Sequence, residues 1–297
     1  MTMLHDMSDP LLTLADGPLE TVLAPACGGG IAALRFNGVD VMRPADPGAL
    51  AARDPLGLAC FPLVPWSNRI AWGRFGFGGR EIQLPRTMGD HPHAIHGHGW
   101  RCAWAVVAAD ALSATLMYDH AAGSWPWRYR ATQRFELQDG ALVVDLAVEN
   151  RSDTAMPAGL GLHPYFPRKP GMTLHARLDG WWETDSLVMP VSLHEVDPRD
   201  DWSDWLHRPE TTDNVFTGWD GVARLTWPER GLALDMNCGE AARWVVVYSP
   251  THQDIACVEG VSHPTDALND PALPGVRILR PGETFALTTA FRPSHLA

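Results

Sequence analysis

With 297 residues, 45% of them hydrophobic and only 20% charged, the chain carries enough apolar material for a large core. Its formal net charge of −12 argues against the basic face that nucleic acids or anionic membranes require. No apolar run approaches the roughly 18 residues of a membrane span.

Acids rather than bases stand in the first 17 residues, where an export leader would need a basic region, so a cytoplasmic protein is expected. Five cysteines (Cys27, Cys60, Cys102, Cys238 and Cys257) are scattered without CxxC spacing and read as reduced, mostly buried thiols. Tryptophan is abundant at 13 residues. Such residues fill wide cores, and their flat faces also suit the apolar face of a sugar ring.

Alternation and turn chemistry dominate the chain from the start. Ala33–Phe36, Asn37-Gly38 and Val39–Met42 predict a hairpin with a favoured two-residue turn. A second spans Gly73 to Leu84 with Gly78-Gly79 at its tip. A third runs from Tyr129 to Leu137, turns at Gln138-Asp139-Gly140 and returns over Ala141 to Glu149. Further strands are expected at Ala223–Trp227, Leu232–Met236, Trp244–Tyr248 and Thr284–Phe291. Long helical periodicity is absent. Short helices are expected at Asp46–Arg53, where an Asp cap precedes a first-turn proline, or near 201–206. Closely spaced strands with Gly- and Pro-rich turns make an all-β sandwich or barrel, and the lack of a repeat or linker makes 1–297 one domain.

Five places on this scaffold carry candidate chemistry. In Gly159–Phe166 a single imidazole, His163, is followed by Pro164, which biases it toward extended backbone where a strand ends or kinks. Such a histidine is more often a silent core residue than a catalyst. Asn68 and Arg69 place several fixed donors side by side, which suits sugar hydroxyls or an anion. His91, His93, His96 and His98 form two HxH pairs that a metal could recruit, although no carboxylate lies at ligand spacing and Gly97 and Gly99 suggest a turn. Asp213 sits in Asp-Asn turn material. Glu259 stands alone inside the apolar run Ile255–Val261, where a carboxylate must be paired or tuned as a base.

Taken in order, NRIAWGRF, HAIHGHGW, LHPYF, TDNVF and CVEGVSHPTDALN resemble the aldose 1-epimerase (galactose mutarotase) family over about residues 20 to 293. The resemblance implies a single-domain β-supersandwich of mostly antiparallel strands. It also implies Glu259 as base, His163 as acid, His96 as second active-site histidine, and Arg69 and Asp213 holding sugar hydroxyls. Departures from the family pattern fall at His93 (commonly Asn), His98 (Gly), Pro164 (Thr) and Val261 (often Gln), which marks a divergent branch.

The implied reaction interconverts α and β anomers of a free aldose. A base takes the C1 hydroxyl proton while an acid protonates the ring oxygen, the C1–C2 bond of the open aldehyde rotates, and reclosure reverses both transfers. No metal or nucleotide is required, consistent with the lack of a phosphate-binding glycine loop. The expected partner is a small-molecule sugar, with the protein a monomer or homodimer. Competing readings are a hexose-6-phosphate 1-epimerase using Arg74, Arg101 or Arg128, a non-catalytic carbohydrate-binding protein on the same fold, and a cupin-like metal enzyme.

Overall fold

The computed structural model describes residues 11–196 and 206–296. Two large antiparallel sheets account for most of the strands. The eleven-stranded sheet runs Leu12–Asp16, Leu19–Ala24, Gly30–Phe36, Cys60–Leu63, Gly161–Pro167, Ile255–Val261, Trp244–Ser249, Thr212–Thr217, Gly180–Thr184 and Pro190–Glu195, with Val39–Asp40 paired beside Gly30–Phe36. The eight-stranded sheet runs Ala105–Ala109, Ser113–His120, Tyr129–Gln138, Ala141–Asn150, Thr284–His295, Leu232–Cys238, Val222–Trp227 and Thr173–Ala176. This is the antiparallel all-β architecture that the alternation predicted.

The hairpins form for the reasons their turns supply. Asn37-Gly38, Gly78-Gly79 and Asp139-Gly140 each hold two successive positive φ values, the geometry that matches the right-handed twist of paired strands. The third tip is one residue tighter than the sequence suggests, because Gln138 is already paired with Ala141. The first helix forms over Pro47–Ala52, with the Asp46 side chain accepting from the Ala49 N–H at 2.9 Å. Arg53, in the left-handed region, ends it. The second predicted helix, near 201–206, lies outside the described residues except for Leu206.

Side-chain alternation on the larger sheet divides its two faces, and this positions the site. Leu162, Phe166, Val247 and Val258 point into the main core shared with the eight-stranded sheet, where they meet residues such as Leu116, Phe135, Leu146 and Leu287. Their neighbours one residue along the chain point the other way. Phe61, Tyr165, Val215, Val246 and Cys257 make a second apolar cluster on the outer face, and His163 and Glu259 share that face. Trp66, Trp100, Trp125 and Trp227 are fully buried, so these tryptophans fill the core.

Candidate active site

The strand Gly161–Pro167 does not end at His163, as Pro164 had suggested; it runs through, and the proline opens the ladder on one side instead. Gly161 pairs with Val261 and Tyr165 with Cys257, but the residues between make no ladder bonds with that neighbour. On the other side Leu162, His163 and Pro164 stay in register with Pro62, Phe61 and Cys60. Carrying the register in by two residues from either end of the gap sets His163 opposite Glu259. The two side chains meet there: His163 Nε2 lies 3.3 Å from Glu259 Oε1, with both groups buried.

Packing fixes the imidazole. The His163 ring lies between Phe61 and Tyr165, with both ring centroids 4.6 Å away, and stands edge-on to His96 at 5.3 Å. Burial pushes His163 down to about 3, helped by the positive charges of Arg43 and Arg69. Burial also pushes Glu259 well above the usual carboxylate range, with Asp213 adding to the rise and Arg69 opposing it. Both groups therefore disfavour charge, and a pair carrying one proton is the state in which neither need be charged. A carboxylic acid beside a neutral imidazole and a carboxylate beside an imidazolium are the same protonation state of this pair, differing only in where the proton rests.

His96 is set by a different device. At φ +65° it follows the two-residue strand Ala94–Ile95, and its backbone N–H donates to the Asn68 carbonyl at 3.0 Å. In return the Asn68 N–H donates to His96 Nδ1 at 3.1 Å. That bond makes Nδ1 an acceptor, so the proton of the neutral ring sits on Nε2 and is available to donate. The ring stays neutral because burial, His163 and Arg69 all lower its affinity for a proton.

Gly97, next in the chain, has φ +71°, and a Cβ there would lie 2.1 Å from the Val64 carbonyl oxygen. Gly97→Ala is expected to cost about 3 kcal/mol or more, through strain and displacement of the backbone that carries His96. Thermal unfolding checks this, as a drop in Tm of several degrees.

This local geometry separates the histidines that the HxH pattern had grouped. The left-handed backbone at His96 and Gly97 sends His96 toward His163 and His98 toward Trp66 and His120, whose ring stacks on it at 4.6 Å. His91 and His93 lie together, with the His91 Nδ1 accepting from the His93 N–H. Among the described residues, the group whose ligand atoms converge within 4.8 Å is instead His163, Cys257 and Glu259. Burial and the neighbouring Glu259 raise the Cys257 thiol well above its ordinary value.

Arg69 and Asp213 come from distant parts of the chain. Arg69 donates to Asp213 Oδ2 at 2.9 Å and to Asn68 Oδ1 at 3.1 Å, and both partners are largely buried. Asn68 is itself 3% exposed, at φ +55°.

The downstream residues of the CVEGVSHPTDALN motif hold this segment in place. His263 Nε2 accepts from the Ser67 N–H, Asp266 Oδ1 accepts from the Ala71 N–H, and the Asp266 N–H donates to the Arg69 carbonyl. Asn269 then reaches the Arg74 carbonyl at 2.9 Å. His263 and Asp266 had no assigned role in the sequence; the signal was their fixed place behind Glu259.

The structure thus brings Glu259, His163, His96, Arg69, Asp213 and Asn68 to one cleft of about 300 Å³. Sequence reasoning missed Arg43, Tyr165, Tyr248 and Gln253, which also line it. Tyr165 was readable as the residue two along from His163 on the same face, whereas Tyr248 enters only through its cross-strand pairing with Asp213. Arg43 carried no signal; its guanidinium lies over the Tyr165 ring at 4.0 Å and donates to the Leu56 and Leu58 carbonyls. Arg74, Arg101 and Arg128 do not line the cleft. Arg101 covers Trp100 and donates to the Thr87 carbonyl, while Arg128 faces Asp153.

Comparison with known proteins decides the family. The family model described as aldose 1-epimerase matches residues 10–292. The chain belongs to the aldose 1-epimerase family. It is 31% identical over 283 residues to the uncharacterized protein YphB of Escherichia coli K12, covering 92% of this chain and 95% of that one. A crystal structure from the same organism, provisionally designated an aldose 1-epimerase, superposes with a TM-score of 0.87 at 29% identity, over 97% and 99% of the two chains. A galactose mutarotase-like protein from Clostridium acetobutylicum, at 18% identity, shares the fold with a TM-score of 0.83 over 97% and 96%. The expected family and the mutarotase-like all-β fold are therefore both established.

Proposed function

We propose that the protein is a cofactor-independent aldose 1-epimerase that interconverts the anomers of a free aldose. The observation that carries this reading is the buried His163–Glu259 pair, 3.3 Å apart, in a cleft lined by further polar side chains. Ring opening needs one proton removed from the C1 hydroxyl and one delivered to the ring oxygen. With the pair's proton on His163, Glu259 is the base for C1 and His163 the acid for the ring oxygen; reclosure on the other aldehyde face returns both protons. The net charge of the pair does not change during the cycle, which suits a site where burial penalises charge.

The neighbours align the sugar for both transfers. The Nε2–H of His96 donates to a ring or hydroxyl oxygen, and Arg69 and Asp213 together offer a donor and an acceptor to vicinal hydroxyls. Asn68 supports both through its bonds to Arg69 and His96. The chain would work as one domain over 1–297, in the cytoplasm, as a monomer or homodimer, with a small sugar as its partner.

Polarimetry or NMR exchange on freshly dissolved single anomers tests the proposal. Acceleration of anomer exchange by catalytic amounts of protein is expected for at least one aldose. Preference for a 6-phosphorylated sugar would favour the hexose-6-phosphate reading, and sugar binding without acceleration would favour a non-catalytic protein. Activity is also expected to survive exhaustive chelation, because the proposed transfers use only the side chains of His163 and Glu259. Loss with EDTA, restored by one metal, would overturn those roles.

A further inference from the structure

Trp72 is an unusual residue for its position. Its side chain is 63% exposed, and its backbone lies at φ +55°, a region that bulky side chains rarely occupy. Asparagine or glycine would suit that backbone better, and water would suit a smaller or more polar side chain. The indole is nevertheless held in place. The backbone N–H of Trp72 donates to His93 Nδ1 at 2.9 Å, and the indole meets that imidazole edge to face at 5.3 Å. His93 is buried, so the indole is anchored on one edge while remaining open to solvent.

Beside it lies a hollow of about 630 Å³, lined by Trp72, Arg74, Arg80, Glu81, Asp266 and Asn269 among others. Two cations and two anions leave no strong net field, so the hollow suits a neutral, hydroxyl-rich group better than an anion. A flat exposed aromatic face, with donors and acceptors around it, matches a sugar ring: apolar C–H groups on one side and hydroxyls at the rim.

One segment contributes to both the hollow and the cleft, through Ala71 and Trp72 on one side and Asn68 and Arg69 on the other. Trp72 follows Arg69 by three residues, which limits their Cα separation to about 11 Å. Asp266 bonds to the Arg69 carbonyl and the Ala71 N–H, so the same segment walls both spaces.

We infer that this hollow is a subsite for a second sugar ring, in which the far ring of a reducing disaccharide rests on Trp72. The inference builds on reading the cleft as the site of anomer exchange, where the reducing-end ring would sit.

The test measures kcat/KM for anomer exchange with glucose and galactose and with maltose, cellobiose and lactose, in the parent protein and in Trp72→Asn. The parent should favour at least one disaccharide over its reducing-end monosaccharide, and Trp72→Asn should raise KM for that disaccharide about fivefold to tenfold with kcat retained. Because asparagine tolerates a positive φ, the variant should keep or raise the parent Tm, which guards against misfolding as the cause.

Saturation-transfer NMR with the same disaccharides on Glu259→Gln separates binding from turnover; adding Trp72→Asn to that protein should weaken the far-ring signals and leave the reducing-ring signals. If the parent shows no disaccharide preference and Trp72→Asn changes nothing, the subsite is wrong while anomer exchange stands. Equal losses on mono- and disaccharides would also overturn it, by making the indole a support for the cleft. If no sugar is turned over but disaccharide binding still depends on Trp72, the subsite stands and the catalytic reading fails.

Discussion

Glu259→Gln and His163→Asn should each reduce the rate of anomer exchange by about 10²–10⁴-fold, with much smaller changes in sugar affinity. Gln keeps the shape of Glu259 and can still bond to a C1 hydroxyl, but it cannot accept the proton at neutral pH. Asn keeps polarity at position 163 without a titrating ring. The double variant should be little worse than either single one, because ring opening needs both transfers and the two residues are in direct contact. Saturation kinetics by polarimetry would check all three variants. Near-parental turnover in Glu259→Gln would place the base elsewhere and remove the basis of the mechanism.

The second large effect concerns the charges around that pair and appears in the pH–rate profile. The profile should be bell-shaped, bounded on the acid side by uptake of a second proton and on the alkaline side by loss of the one shared proton. His163 is pushed down to about 3 and Glu259 is pushed well up, so the active window should be broad. An exposed Glu and His, near their ordinary values of about 4.3 and 6.5, would enclose a much narrower one.

Arg69 lowers the proton affinity of both residues, so Arg69→Ala should move both limbs to higher pH. Asp213 raises Glu259, so Asp213→Ala should move the alkaline limb to lower pH. Either change leaves its partner unpaired in a largely buried place, at a cost of about 1–3 kcal/mol in sugar binding, or roughly ten- to a hundredfold in KM. Rate profiles from pH 3 to 10 on the two variants would check the signs. Limbs shifting the same way in both, or unchanged KM values, would show that the two charges do not act on Glu259 as proposed.

Much of this was legible in one dimension because it depends on neighbours in sequence. Period-2 alternation and the Asn37-Gly38, Gly78-Gly79 and Asp139-Gly140 turns set the strands and hairpins, since side-chain direction and turn geometry are local properties. The isolation of Glu259 in an apolar run marked a carboxylate in need of a partner, because burying a charge is costly wherever the strand lies. The order of the short motifs was enough to suggest the family.

What remained hidden depended on which strands became neighbours. Nothing local pairs His163 with Glu259; that follows from the register of Gly161–Pro167 against Ile255–Val261, opened where Pro164 interrupts the ladder. Nothing local parts His96 from His98; the left-handed backbone at His96 and Gly97 does so, held where Gly97 meets the Val64 carbonyl. The protonation of the pair was likewise beyond the sequence. Base and acid were named from family resemblance, but the enclosure that makes both groups resist charge is created when Phe61, Tyr165 and the neighbouring strands close around them. Burial is a property of the assembled sheet, so the sequence determined which groups were available and the tertiary structure decided which of them meet out of water.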